Sequence, residues 1–389
     1  MDNTAIKNTI SEIFNDIANG IETGNFAKKT RIGLTILGSE LGPQELLAGA
    51  EQAQKANPDM EVVVIGSGVN TNLQLIEAAD EKEAHFLMDT MLTEGNLDSA
   101  VTLHYSFPIG VSTVGRVITP GKGKELYLAA TTGTSATERV TAMLKNTIYG
   151  IAAAKACGIE NPTVGILNID GARQVERTLK SLKENGYPIT FTESARSDGG
   201  VVMRGNDLLL GVPDIMVADS LTGNVLMKIF SAFTSGGNYE SLGYGYGPGI
   251  GENYNKIICI LSRASGAPVV AGAIAYAGQL AKGRLLDSVK AEFAKVKKAG
   301  WDEIIGKLEC PTVTAQKTGD GDGIKPPPEK IVTCEISGIE ILDLENAVQS
   351  LWKKGIYAFS GMGCTGPIVM IADEDKERSI AILKENGYL

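Results

Sequence analysis

Histidine is nearly absent from this chain of 389 residues, which contains only His85 and His104. The five cysteines form no CxxC pair and no cluster with histidine, so the spacing typical of metal ligands is missing. Their odd number also argues against a disulfide framework. We therefore predict reduced thiols and no metal site, and we interpret His104, at the end of a predicted strand, as structural rather than as a general base.

Positive charge is also scarce, since 36 Lys and Arg face 46 Asp and Glu and give a net charge of −10. No basic stripe is visible, which argues against nucleic acid as a partner. The most lipid-like run, at 267–281, is too short to cross a bilayer. Residues 1–24 show no basic segment followed by an apolar stretch, so we expect no signal peptide, no membrane partner and a cytoplasmic location.

Apolar residues and glycine are plentiful, with a hydrophobic share of 43% and 46 glycines. This length and composition predict a globular protein of about two domains. Within 1–30, apolar residues at steps of three and four predict an amphipathic N-terminal helix. They are Ile6, Ile10, Ile13, Phe14, Ile17 and Ile21.

Short β-branched runs alternate with amphipathic stretches across 31–285, which predicts an α/β domain with a largely parallel sheet covered by helices. Ligands gather at the carboxyl ends of such strands, and five predicted ends are rich in glycine and hydroxyls: LGSELGP, IGSG, ATTGTS, NIDGA and DSLTGN. The glycine-rich segment 235–253 is predicted to be a loop that lines a pocket or an oligomer interface. The composition changes near 285, so we predict a small C-terminal α+β domain over 286–389.

One cysteine has an unusual setting, the sequence SGMGCTGPI at 360–368, between two predicted strands. Glycines leave a face of the Cys364 sulfur open, and main-chain amides of Gly363, Thr365 and Gly366 can favour a thiolate and support an oxyanion. No His or Lys lies within the motif, so an activating base must come from elsewhere. From these residues alone, a buried free cysteine in a tight turn remains the alternative.

A second motif, VADSLTGNVLMK at 217–228, places Thr222, Gly223 and Asn224 at the start of a helix that carries Lys228. A helix N-terminus with hydroxyl, glycine and amide groups suits an anion such as phosphate. An ordinary N-cap followed by a solvated lysine remains the alternative.

From about residue 31 to 280 the chain resembles the phosphate acyltransferases of phospholipid synthesis, the PlsX family. The resemblance rests on LGSELGPQELLAGAEQA, PTVGILNI and above all DIMVADSLTGNVLMK, which is close to that family's strand–DGFTGN–V–L–K signature. It implies the fold of phosphotransacetylase and of the isocitrate/isopropylmalate dehydrogenase group. It also implies synthesis of an acyl phosphate from an acyl thioester and inorganic phosphate, with no further cofactor. The chain departs from the family at Gly38, Ser39 and Glu40, where the family has Gly-Gly-Asp, and after 285 it has no counterpart there.

Over its whole length the chain is similar to the alpha subunits of component C of glycine/sarcosine/betaine reductase complexes, which carry an SGMGCTGP-type cysteine in a C-terminal extension. The resemblance implies an oligomeric assembly with the component C beta subunit and the selenoprotein component A as partners. It also implies that Cys364 takes up an acetyl unit as a thioester, which inorganic phosphate releases as acetyl phosphate. Phosphate would bind at 222–224, with its charge balanced by Arg139 and Lys228. Because the two sites fall in different predicted domains, we expect a closure or a subunit contact to join them.

Two other interpretations remain open. A phosphate acyltransferase acting on carrier-protein or coenzyme A thioesters would not need Cys364. A non-catalytic subunit could serve as an assembly platform for a beta partner. A metal-dependent decarboxylating dehydrogenase is disfavoured, because no paired-aspartate metal motif or nucleotide fingerprint is present.

Overall fold

The structure is a computed structural model that describes residues 14, 17–18, 21, 29–197, 199–309, 325–328, 330, 334–339, 343–363 and 366–389. The chain forms two compact units, Met1–Glu309 and Cys310–Leu389. The predicted N-terminal helix lies mostly outside the described residues. Its described positions, Phe14, Ile17, Ala18 and Ile21, are helical and exposed. Within the described residues, no helix has the length and apolar character needed to span a membrane.

The first unit is built on one mixed sheet with the strand order β3-β2-β1-β4-β12-β11-β5-β6-β10-β7-β8, and β9 pairs with β7. The strands are β1 (Thr30–Thr35), β2 (Met60–Gly66), β3 (Gln74–Glu77), β4 (Ser99–Thr102), β5 (Val111–Ile118), β6 (Glu125–Thr134), β7 (Thr163–Leu167), β8 (Thr190–Phe191), β9 (Val202–Met203), β10 (Ile215–Val217), β11 (Gly247–Ile250) and β12 (Ile258–Ile260).

Helices cover both faces of this sheet. They are α1 (Pro43–Ala56), α2 (Glu81–Thr93), α3 (Arg139–Ala156), α4 (Ala172–Glu184), α5 (Gly205–Leu210), α6 (Ser220–Ala232), α7 (Ala267–Lys282), α8 (Leu285–Lys298) and α9 (Trp301–Glu309). Alternate strand residues enter different clusters, so Val62 and Val64 pack in the main core while Val63 and Ile65 pack with residues of α2. Strands buried on both faces explain the continuous apolar runs. The predicted α/β class with a largely parallel sheet is confirmed.

The two halves of the sheet run in opposite directions. Strand β11 is antiparallel to both β12 and β5, and β6 is antiparallel to β5, whereas β4 is parallel to β12 and β10 is parallel to β6 and β7. The loops after β1 and β2 therefore lie at one edge, and the loops after β6, β7 and β10 lie at the opposite edge. The five glycine- and hydroxyl-rich strand ends thus form two groups.

The first unit extends further than the change in composition predicted. Helices α8 and α9 bury Val289, Phe293 and Trp301 in the main core, and the Phe293 ring centroid lies 5.9 Å from that of Tyr149 on α3. Charged residues on the outer faces of these helices mask an apolar inner face in the average composition. The boundary between the units lies after Glu309 rather than at 285.

The second unit is a small α+β arrangement. Its antiparallel sheet has the order β13-β15-β14, with β13 (Cys334–Ser337), β14 (Ala358–Gly363) and β15 (Gly366–Ile371). The helices α10 (Leu344–Trp352) and α11 (Lys376–Glu385) complete it. Strand residues such as Ala358 and Val369 share a core with Val348 and Leu383 of the helices. This unit has its own core, as expected for a separate domain.

Candidate functional site

The start of α6 is capped by a carboxylate from within the chain. Strand β10 ends at Val217, and Asp219 is the N-cap residue of α6. Its side chain accepts hydrogen bonds from the Thr222 backbone N–H at 2.8 Å and the Thr222 hydroxyl at 3.0 Å. A negative charge is stabilised here by the helix dipole. The hydroxyl predicted to bind phosphate is therefore engaged by Asp219.

Gly223 and Asn224 fasten α6 to the carboxyl end of β6. A Cβ atom on Gly223 would lie 1.7 Å from the Ala130 carbonyl oxygen, so no larger residue fits against this strand. The Asn224 side-chain amide donates to the Thr131 carbonyl oxygen at 3.1 Å. Gly223 and Asn224, two of the residues predicted to bind phosphate, therefore position α6 against β6 in this structure.

The two predicted cations lie at the surface. Arg139 opens α3 directly after β6, and its Nη1 lies 3.4 Å from Asp170 Oδ2, with both side chains exposed. Such an exposed ion pair contributes little stability and exchanges readily. Lys228 Nζ lies 5.5 Å from the Tyr246 ring centroid and 4.0 Å from Glu240 Oε1. Arg139 therefore shares the sheet edge with the start of α6, whereas Lys228 lies roughly 9 Å further along α6 than Thr222.

A buried asparagine joins several elements at this edge. Asn146 of α3 accepts from the Ser112 hydroxyl at 2.8 Å and from the Ser135 hydroxyl at 2.7 Å through its Oδ1. Its Nδ2 donates to the Ala218 carbonyl oxygen at 3.2 Å. Asn146 was not predicted from the sequence, in which it is one of several polar residues in a helix that is largely buried. It fixes the ends of β6 and β10 relative to each other.

A cavity of about 250 Å³ lies beside the carboxyl end of β6. Its wall consists of 108–111, Lys145, Tyr149 and 251–254. Gly110, in the cavity wall, is hydrogen-bonded to β6 and to α3. Its N–H donates to the Thr134 carbonyl oxygen at 2.8 Å, and its own carbonyl oxygen accepts from the Tyr149 hydroxyl at 2.8 Å. The segment 235–253 was predicted to be a loop that lines a pocket, and 251–253 do line this cavity. The residues just before them form strand β11 instead of a loop. Lys145 was not among the site residues predicted from the sequence.

The two histidines lie at the other edge of the sheet. His85 Nε2 is 3.0 Å from the Thr102 hydroxyl, which in turn accepts from the Thr35 hydroxyl at 2.7 Å. Burial, followed by the neighbouring charge of His104, lowers the pKa of His85. His104 itself is exposed. Across the described ranges, no group of three or more His, Cys, Asp or Glu side chains is placed to hold a metal ion.

The motif around Cys364 is flanked by two paired strands. The antiparallel register of β14 and β15 continues through Met362 and Pro367 to Gly363 and Gly366. Strands are therefore found on both sides of the motif, where the sequence analysis placed them. Cys364 and Thr365 themselves lie outside the described residues, so the roles predicted for them and for the adjacent amides remain predictions.

Comparison with known proteins gives matches along most of the chain. The model of the fatty acid synthesis protein family matches residues 30–370. A glycine/sarcosine/betaine reductase complex component C subunit alpha from Peptoclostridium acidaminophilum is 56% identical over 384 residues, which are 99% of each chain. A phosphate acyltransferase from Thermotoga maritima is 29% identical over 51% of this chain and 68% of its own. The crystal structure of a branched-chain phosphotransacylase from Enterococcus faecalis covers 65% of this chain and 99% of its own, with 12% identity and a TM-score of 0.41.

Proposed function

Because this chain belongs to the fatty acid synthesis protein family, and within it to the component C alpha subunits of glycine/sarcosine/betaine reductase, we propose that it is the acetyl-transfer subunit of such a complex. In this proposal Cys364 receives an acetyl unit supplied through the selenoprotein component A. Inorganic phosphate then removes this unit as acetyl phosphate. The beta subunit of component C is the proposed stable partner.

The register of β14 and β15 is the observation that carries the proposal. Their pairing ends with two glycines, Gly363 and Gly366, immediately on either side of 364–365. Because glycine has no side chain, these two residues add no steric barrier on either side of 364–365, which supports the approach of a carbonyl compound to Cys364. This setting supports a nucleophilic cysteine more strongly than those of Cys259 and Cys334, which are buried.

The proposed transfer balances without an added oxidant or reductant. The Cys364 thiolate attacks the acetyl carbonyl carbon, forms a C–S bond and expels the donor's leaving group. A phosphate oxygen then attacks the thioester carbon, and the C–S bond breaks as a C–O bond forms. The products are acetyl phosphate and the regenerated thiolate, which is the form of cysteine that acts as a nucleophile.

Phosphate must meet the thioester in line with its carbonyl, since held geometry converts a bimolecular step into a unimolecular one. We place the phosphate at the edge of the first unit where β6 and β10 end and the helices that follow them begin. The model of the fatty acid synthesis protein family matches 30–370, which includes this edge and supports that location. Arg139 is the exposed cation at this edge that can exchange its partner Asp170 for phosphate.

Replacing Cys364 with alanine tests the proposal. We expect C364A to lose the arsenate-dependent breakdown of acetyl phosphate, because no thiolate is left to form the thioester. The control is C334A, which removes a buried cysteine from β13 of the same unit and should retain the activity. Wild-type activity in C364A would instead support direct acyl transfer from a carrier thioester to phosphate, without a cysteine intermediate.

A further inference from the structure

The cavity beside β6 contains a lysine that the proposed chemistry does not use. Lys145 is half-buried on α3, and it has no ion-pair or hydrogen-bond partner in the part of the chain that the structure describes. Glu252, the carboxylate in the cavity wall, is engaged by Lys297 outside the cavity. The cavity wall and the paired Lys297 together therefore carry one net positive charge. A partly desolvated ammonium group favours an anionic partner.

The remaining wall is suited to a short apolar group. Pro108, Ile109 and Val111 supply aliphatic surface and Tyr149 supplies part of an aromatic ring. The Ile109 side chain is 59% exposed, although it is a large apolar residue. The volume of about 250 Å³ is smaller than a typical site for a drug-sized ligand. The cavity therefore has room for a small anion with a short acyl group.

The position of the cavity matches the edge proposed for phosphate. Gly110 lies at the start of β5 and donates to Thr134 at the end of β6, and β10 is the next strand along. Because neighbouring strands lie about 4.8 Å apart and β6 separates β5 from β10, the start of β5 is roughly 10 Å from the strand that leads into α6. The cavity thus lies at the same edge of the sheet as the Asn146 network and the start of α6.

We propose that this cavity binds a small acyl phosphate. Lys145 contacts the phosphate group, and the aliphatic wall at 108–111 contacts the acyl group. The inference rests on the proposed function and assigns Lys145 as the residue that determines phosphate affinity. Inorganic phosphate carries only the charged group of this ligand, whereas acetyl phosphate carries the charged group and an acyl group. Comparing the two therefore separates the contact of Lys145 from the contact of the aliphatic wall.

Calorimetric titration of the full chain with inorganic phosphate and with acetyl phosphate tests this assignment. We expect K145Q to bind both ligands at least tenfold more weakly, since a charge-assisted hydrogen bond is lost. K145R should stay within about threefold of the wild type because it keeps the charge. K290Q removes an exposed helical lysine of α8 and should leave both affinities unchanged. I109W, which fills the cavity from its exposed rim without altering α3, should weaken acetyl phosphate binding more than phosphate binding.

Equal affinities in K145Q, I109W and the wild type would overturn the assignment. Mass spectrometry on the same samples separates this failure from failure of the proposed function. At saturating acetyl phosphate, K145Q should still acquire an acetyl group on Cys364, because the substitution lowers affinity and leaves the thiol in place. If the wild type binds phosphate at Lys145 and never acetylates Cys364, the acetyl-transfer function is wrong and the phosphate site stands.

Discussion

The side-chain amide of Asn146 donates a 3.2 Å hydrogen bond to the carbonyl oxygen of Ala218, the residue that precedes the N-cap of α6. Asn146 is 2% exposed, so the bond is shielded from water. Through it, α3 holds the end of β10 in place, while the same side chain holds Ser112 and Ser135. One side chain thus aligns the segments that frame the proposed phosphate edge.

Replacing Asn146 with alanine is expected to destabilise the first unit by about 2 kcal/mol, because the buried Ser112 hydroxyl loses its acceptor while the Ser135 hydroxyl and the Ala218 carbonyl each lose one of two partners. Urea unfolding followed by the fluorescence of Trp301 in a W352F background reports on this unit, since Trp301 lies in its core. N206A, at an exposed position of α5, is the control and should stay within about 0.5 kcal/mol of the wild type. Equal stability of N146A and N206A would contradict the alignment role.

Gly223→Ala is expected to displace α6 from β6. The added methyl group would overlap the Ala130 carbonyl oxygen, which belongs to the backbone and has little freedom to move. We expect a loss of about 3 kcal/mol in unfolding free energy and weaker phosphate binding, measured by urea titration and calorimetry. G306A on α9 is the matched control, because a Cβ there meets nothing within 4 Å. It should be neutral or more stable by about 0.5–1 kcal/mol. A G223A protein as stable as G306A would contradict the close packing.

Much of this architecture could be predicted from the alternation of apolar runs and helical stretches, because local periodicity reports burial. The reversal of strand direction across the sheet could not be predicted in this way. Its key strand, β11, lies in a glycine-rich segment that has low strand propensity. A Cβ on Gly247 would lie 1.8 Å from the Val114 carbonyl oxygen, so glycine is needed for the close approach of β11 to β5. That requirement appears only when the partner strand is known.

The candidate site shows the same limit in its side chains. Thr222 and Asn224 have the residue types of a phosphate site, yet they bond to Asp219 and to the Thr131 carbonyl. Sequence identifies a helix N-terminus but does not reveal whether its polar groups already have partners inside the chain. Lys145 shows the converse, because its lack of a partner within the described ranges depends on residues distant in sequence. Only the packed structure distinguishes engaged groups from available ones.

The chain's two histidines allow a direct test of the electrostatics at the other sheet edge. Burial, with a contribution from His104, lowers the pKa of His85 below its ordinary value near 6.5. The unfolded chain therefore takes up a proton that the folded chain does not, and stability should fall as pH drops from 6.5 towards the folded pKa. Imidazole proton NMR should show His85 titrating below 6.5.

H104Q serves as the matched variant for this titration. It leaves a single histidine, which assigns the resonance, and it removes the charge that lowers the pKa of His85. We therefore expect the pKa of His85 to rise in H104Q. Two results together would contradict the described surroundings of the His85 ring. They are a wild-type pKa of His85 at or above its ordinary value, and the same pKa of His85 in H104Q.

The most direct test of the central claim is mass spectrometry of the full chain after incubation with acetyl phosphate. The reverse of the proposed release step predicts one acetyl group, located on Cys364 after digestion, and removed again when inorganic phosphate is added in excess. Cys259 and Cys334, both buried, should remain unmodified. A chain that carries no acetyl group on Cys364 under these conditions, in the presence of its beta partner, would contradict the account.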